Sequence, residues 1–380
     1  MRLVVLYSKN IVISTLLFGI LSCSYTKKPH GELDLNQKIR LTEGQRKDSL
    51  VIVSYFQERF EQGRFSGTFL FADKGKVIAQ GAFGYGDLRK KDSLNLESVF
   101  QLASVSKTIT ATAVMQLCEK GMINLEDSVQ VYLPSFIYSG ISIRHLLSHQ
   151  SGLPEYWYFT DSLWNDWNNP ITNDDVLCLM EEYCPNKYYL PGKKYNYINS
   201  NFIVLAKIVE LVSGQAFDEY VRDHIFEPAG MMHSFIYNEF RHPEFKNYGV
   251  KGHEYNRRYS EISYLNGVVG DKGAYSTVGD MFLFDRALRN ELILSKETQD
   301  IMYTHQHEKL HSWDNYALGW RVDYSDSTNK IVYHKGWWKG FKTMFVRELD
   351  NDKVIVVLSN HLRFRHFNMG EVRALLTDLE

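Results

Sequence analysis

The chain has 380 residues, 44% of them hydrophobic and 14% aromatic, a composition too apolar and too mixed for disorder and sufficient for a large buried core. Its 43 Lys and Arg nearly balance 45 Asp and Glu, for a net charge of -2, so nothing in the charge balance suits a phosphate backbone and nucleic acid is not an expected partner. The length permits two or three units of about 150 residues, or one large domain carrying an inserted part.

At the N-terminus Arg2 and Lys9 precede the apolar run Ile11 to Leu21, the layout of a signal peptide over residues 1–22. The run is shorter than the roughly 20 residues of a permanent membrane span. Ser22-Cys23 resembles a bacterial lipoprotein signal, with cleavage before Cys23 and a lipid on its thiol; Leu21, where a small residue is usual, leaves ordinary secretion as the alternative. The reading predicts an exported, periplasmic or cell-envelope protein that touches the membrane only through Cys23. Cys118, Cys178 and Cys184 then remain, an odd number that argues against a disulfide framework. Cys178 and Cys184 fall in one helical segment about 9 Å apart, too far to bridge, so free thiols are expected.

Residues 23–47 are polar and read as a tether, with the folded unit over 48–378. Ser49 to Phe60 has helical spacing, and Thr68 to Ala72 and Lys76 to Gln80 flank Asp73-Lys74-Gly75 as a β-hairpin. Ser104 to Lys120 is a second helix stopped by Gly121. Residues 121–260 alternate helix patterns with Pro and Gly turns, the clearest helix being Phe202 to Val212 before Gly214. Strands return at Ala317 to Asp323, Ile331 to His334, Thr343 to Arg347 and Lys353 to Ser359, followed by a helix over Met369 to Leu379. The pattern predicts an α+β fold. One antiparallel sheet is built from both ends of the chain (48–120 and 261–378) and flanked by helices, and a mostly helical region, 121–260, is inserted between them.

Three short motifs carry chemistry. A serine hydroxyl needs a nearby base to attack a carbonyl, and Ser104-Val105-Ser106-Lys107 places a lysine one turn beyond a serine at the start of a helix whose dipole favours an alkoxide. Alone, the motif reads equally as a capped helix with a surface lysine, but a lysine in the first turn of an otherwise apolar helix needs a reason. Tyr195-Asn196-Tyr197-Ile198-Asn199 follows Pro191-Gly192; here a phenol beside an ammonium is expected to have its pKa lowered towards neutrality and so accept the serine proton, while Asn199 orients Lys107 and binds a substrate amide. The alternative is a Tyr-rich turn. His334-Lys335-Gly336 ends a strand, where Gly336 is expected to let substrate approach and His334 to add a hydrogen bond or a positive charge beside Tyr197.

The ordered set Ser104/Lys107, Tyr197/Asn199 and His334/Gly336 resembles the serine β-lactamase and penicillin-binding-protein superfamily in its class C and esterase-like branch. Phe65-Ser66-Gly67, His145 to Leu153, Glu227-Pro228-Ala229-Gly230-Met231, Gly273 to Thr277 and Leu318-Gly319-Trp320 resemble further landmarks of it in order. The resemblance implies a covalent acyl-enzyme on Ser104, an oxyanion hole from the backbone amides of Ser104 and Trp337, no metal and no cofactor. Class C β-lactamases have Lys-Thr-Gly where this chain has His334-Lys335-Gly336. The expected activity is therefore that of an esterase or D-amino-acid peptidase or carboxypeptidase on a small-molecule or peptide substrate, with at most weak β-lactam hydrolysis.

Two other readings compete. His307-Glu308-Lys309-Leu310-His311 matches the H-E-x-x-H pattern of zinc peptidases, but its surroundings are polar and lack an apolar stripe. The fold could also serve as a non-catalytic module that binds peptidoglycan or a partner. The aromatic run Tyr156-Trp157-Tyr158-Phe159, with Trp164, Trp167, Trp337 and Trp338, reads either as a cleft wall suited to a broad apolar acyl or aryl group or as a packed surface loop.

Overall fold

The computed structural model describes residues 41–377 apart from 239–240, 261–262, 307–314 and 326–328. The segment read as a signal peptide, Cys23 and the zinc-like motif of His307, Glu308 and His311 thus lie outside the described residues. The first helix, Glu43–Glu61, begins five residues inside the stretch read as tether, because Thr42 and Gln45 form a capping box that fixes its start.

Seven antiparallel strands form the main sheet. The hairpin Gly67–Asp73 and Lys76–Phe83 supplies one edge, turning through Lys74 and Gly75, both at positive φ. Gly67–Asp73 pairs along its length with Lys353–Ser359, and Phe341–Glu348, Ile331–Trp338, Arg321–Asp323 and Asn315–Tyr316 follow in that order. The two ends of the chain thus meet in the middle of one sheet. The strand expected over Ala317 to Asp323 is split, since Ala317 donates its amide to the Trp320 carbonyl at 2.8 Å and the chain reverses there.

The strands alternate between two apolar layers, which requires both faces to be covered. Phe69, Phe71, Ile355, Val357, Met344 and Val346 face the terminal helices Glu43–Glu61 and Met369–Thr377, with Phe56 stacked on Phe69 at 4.0 Å between ring centroids. Leu70, Val354, Val356 and Phe345 face the other way, into a larger core in which the helix Val278–Arg289 packs directly on the sheet and the helices Ser106–Glu119 and Ser200–Ser213 belong to the same cluster. Fully burying one such side chain stabilises by about 1.5–3 kcal/mol, so Phe56→Ala would be among the costlier changes on the outer layer.

A small second sheet ties the layers together: Ala274–Ser276 pairs with Phe100–Gln101 on one side and Phe235–Ile236 on the other. It anchors the residues just before Ser104. Cys118, Cys178 and Cys184 are free thiols.

Candidate active site

Ser104 lies in a 3₁₀ turn, Ala103–Val105, that runs directly into the helix Ser106–Glu119. In 3₁₀ geometry side chains three residues apart eclipse, so the spacing from Ser104 to Lys107 brings Oγ and Nζ to 3.2 Å. The turn is held from both sides: the Leu102 amide donates to the Ala274 carbonyl at 2.8 Å, and the Thr343 hydroxyl donates to the Leu102 carbonyl. Ala103 sits at φ +50°, a conformation that a residue with a Cβ adopts only when its surroundings impose it.

Gly336 is part of that imposition. A Cβ there would stand 2.4 Å from the Leu102 carbonyl oxygen and 2.2 Å from Thr343 Oγ1. On its Cβ side this glycine is approached by the chain's own nucleophile loop.

Lys107 is fully buried and its three N–H bonds meet three acceptors: Ser104 Oγ at 3.2 Å, Asn199 Oδ1 at 2.8 Å and the Asp271 carbonyl at 2.7 Å. Burial lowers its pKa from 10.5 to about 8, against the opposing pull of Asp271 and Glu155, while Arg321 adds to the lowering. The Asp271 carbonyl reaches the lysine because Gly270, at φ +103°, packs on the helix below, where a Cβ would meet the Phe202 carbonyl at 2.3 Å. Asn199 is fixed in turn by Glu155, whose Oε2 accepts from its backbone amide at 2.9 Å and its Nδ2 at 3.0 Å.

Tyr197 joins the group: its ring centroid is 5.1 Å from Lys107 Nζ, and its buried hydroxyl faces Ser104 without a completed hydrogen bond. Its titration differs from the sequence expectation. Burial drives the phenol far above its usual range, and Ser104 and Arg321 offset this only in part. A phenolate in so dry a site would lose its hydration for only partial compensation from Ser104 and Arg321, so burial favours the neutral phenol.

His334 differs as well. Its Nδ1 donates to the Lys335 carbonyl at 2.9 Å, so Nε2 accepts from the Tyr316 hydroxyl at 3.0 Å. Burial, then Arg321 and Lys107, hold its pKa well below 6.5. It brings no positive charge to Tyr197; besides Lys107, the cation over that ring is Arg321, 5.6 Å from the centroid.

Ser104, Tyr197, Asn199, His334 and Trp337 line one cleft of about 550 Å³. Trp157, Tyr158 and Trp338 form a wall, with Trp157 and Trp338 stacked at 6.2 Å, whereas Trp167 lines an adjoining groove of about 600 Å³ that also includes Trp157, Trp337 and Trp338. Sequence reasoning missed Glu155, Asp271, Lys272 and Arg321. The Glu155 pKa is raised by burial to about 7, and its Oε1 is buried in the cleft without a partner. Lys272, also buried, donates to the Tyr156 hydroxyl at 2.7 Å, and that hydroxyl donates to Asp271 Oδ2 at 3.1 Å. No segment pattern marks these four residues, since each acquires its surroundings only when the loops meet. Among the described residues no cluster of His, Cys, Asp and Glu could hold a metal ion.

Chemically, the arrangement can draw a proton from the partly buried Ser104 hydroxyl into a buried amine, beside a neutral phenol that can give up its own proton and be refilled from that amine. Residues 52–378 match the family described as Beta-lactamase. Penicillin-binding protein 4* of Bacillus subtilis (strain 168) is 34% identical over 319 residues, 80% of this chain and 70% of that one. Teichoic acid D-alanine hydrolase of Staphylococcus aureus (strain NCTC 8325 / PS 47) is 28% identical over 313 residues, 80% of this chain and 73% of that one. Among solved structures, the penicillin-binding protein from Bacillus halodurans superposes with a TM-score of 0.71 at 24% identity, over 86% of this chain and 99% of that one. The chain belongs to the Beta-lactamase family and is a serine acyl-transfer hydrolase.

Proposed function

We propose that this enzyme cleaves D-amino acyl esters or amides through an acyl-enzyme on Ser104, and that it does so in the cell envelope after export. The observation that carries the catalytic reading is the contact of a buried, pKa-lowered Lys107 with the Ser104 hydroxyl. Neutral Lys107 takes the Oγ proton as Oγ bonds to the substrate carbonyl carbon, and the carbonyl π electrons move to an oxyanion facing the backbone amides of Ser104 and Trp337. As the tetrahedral adduct collapses, Tyr197 gives its proton to the departing oxygen or nitrogen and is reprotonated by Lys107. Water then attacks the acyl carbon by the reverse path, returning acid and free serine.

The substrate class rests on Glu155. A buried carboxylate oxygen that lacks a partner, on a residue lining the catalytic cleft, suits an ammonium, and an α-amino nitrogen lies two bonds from the carbon under attack. The relative named for D-alanine hydrolysis supports the same class of acyl group. Glu155→Gln preserves an acceptor for Asn199 but replaces the unpartnered oxygen with a donor. It should lower kcat/KM for a D-alanyl ester by about 10-fold or more, the scale of a hydrogen bond to a charged group, and lower it much less for the N-acetylated ester. Equal losses on both substrates would remove the ammonium from the proposal. Measuring D-alanyl esters, aryl esters and nitrocefin side by side on the unaltered enzyme completes the test.

Export is supported by the Arg2 and Lys9 flank, the apolar run to Leu21 and Ser22-Cys23. In a bacterial host fed a clickable fatty acid, the chain should carry label and sediment with membranes, and Cys23→Ala should lose both. Label persisting on the variant, or a chain that stays cytoplasmic, would reject this localisation.

A further inference from the structure

We propose that His149 is the positioning residue for Tyr197, holding the peptide units on either side of it so that the phenol keeps its place beside Ser104 and Lys107. His149 belongs to the loop after the helix Ile143–Leu147 and is fully buried. Two separate bonds join it to the Tyr197 segment: its backbone carbonyl accepts from the Asn196 amide at 2.9 Å, and its ring Nδ1 accepts from the Ile198 amide at 3.1 Å. These are the amides of the residues immediately before and after Tyr197. One residue therefore grips both neighbours of the phenol, and its ring lies against the phenol ring with centroids 4.3 Å apart.

The grip is itself prepared. A backbone amide can only donate, so Nδ1 is the acceptor and the proton of the neutral ring is on Nε2. Asn201 Nδ2 donates to the same Nδ1 at 3.1 Å, and Asn201 Oδ1 is held by the Ser151 hydroxyl, which orients the amide. Tyr195, Phe202 and Tyr316 pack around the imidazole at 6.2, 5.3 and 4.6 Å between centroids. His149 also sits at φ +57°, a conformation open to His and Asn more than to most side chains and one that turns both its carbonyl and its ring towards the same strand of chain. No charge on the ring is involved, since burial keeps its pKa well below 6.5.

The inference rests on Tyr197 acting in proton transfer, and the test separates the two ideas. In Asn the side-chain oxygen stands the same number of bonds from the backbone as Nδ1 does in His, and Asn tolerates positive φ, so His149→Asn keeps the acceptor and loses the ring. His149→Phe keeps a ring and loses the acceptor, leaving the Ile198 amide buried without a partner. A displacement of about 1 Å in a catalytic group can cost about 10²-fold. His149→Phe should therefore lower kcat about 20-fold or more with KM changed less than about 3-fold, while His149→Asn stays within about 5-fold in kcat although it leaves the larger cavity and the lower Tm. Tyr197→Phe, assayed alongside, reports on the underlying reading. If it lowers kcat while the Phe variant at 149 is as active as the Asn variant, or if activity at 149 simply follows Tm, the positioning role is wrong. If Tyr197→Phe itself leaves kcat intact, the relay through Tyr197 is wrong instead. Should His149→Phe fail to fold, the Asn variant decides: a loss beyond about 5-fold overturns the proposal.

Discussion

Ser104→Ala should leave the enzyme folded, unlabelled by a fluorophosphonate, and slower by about 10⁴-fold or more, the scale seen when a nucleophile is removed and only binding and oxyanion stabilisation remain. The motif holds a second serine, which sharpens the test. Ser106 is buried, and its Oγ accepts from the Ala274 amide at 3.1 Å, so it braces the small sheet and cannot reach a substrate. Ser104 is only partly buried and opens into the cleft. Peptide mass spectrometry after labelling should find the phosphonate on Ser104 alone. Stability should not suffer: the lost hydroxyl is one of three partners of Lys107, and Ala103, at φ +50°, still carries the strain of the turn. An adduct on Ser106 or elsewhere, or an Ala variant that keeps turning over, would displace the nucleophile from this position.

The parts of this site visible in the sequence are those fixed by short spacing. Ser104 and Lys107 stand three apart at a helix start, and the 3₁₀ turn converts that spacing into a contact. Asn199 stands next to a strongly apolar helix, Ser200–Ser213, whose start fixes where its side chain emerges. The strand Lys353–Ser359 is legible for a related reason, because it is buried on two faces and Val354 to Leu358 read as a continuous apolar run. What spacing does not carry is environment. Tyr197 and His334 were identified as residues, yet their protonation was misread, since a neighbouring cation is a local inference whereas burial depends on every loop that closes over the group. Glu155, Asp271 and Lys272 had no pattern at all: three polar residues beside a proline or glycine look like any loop until Lys107 and Asn199 arrive from elsewhere in the chain. Gly336 reads as a point of close approach, and on its Cβ side the approach is by Leu102 and Thr343, which the sequence does not name because it shows that a side chain is missing and not what fills the space.

On an N-acetylated ester, which does not engage Glu155, the pH dependence of the reaction should be set by Lys107. With a pKa of about 8 in the folded enzyme, its neutral form is scarce at low pH. So kcat/KM should rise about tenfold per unit as pH approaches 8 from below and level off above it. The same shift acts on stability with a definite sign. The fold disfavours the charged amine, so a cost of about 3 kcal/mol, the equivalent of moving from 10.5 to about 8, is fully present below about pH 8 and is relieved as pH climbs from there towards the unfolded value. Lys107→Met removes that cost but strands the Asn199 oxygen and the Asp271 carbonyl, each worth about 1–3 kcal/mol when buried without a donor. The two effects nearly offset. Lys107→Met should thus melt within a few degrees of the parent near neutral pH while losing about 10²-fold or more in turnover. Thermal melts and pH–rate profiles on the same preparations would show whether an intact fold has lost only its base. A profile flat through pH 8, or a variant that keeps a tenth of the parent rate, would assign the base to another residue.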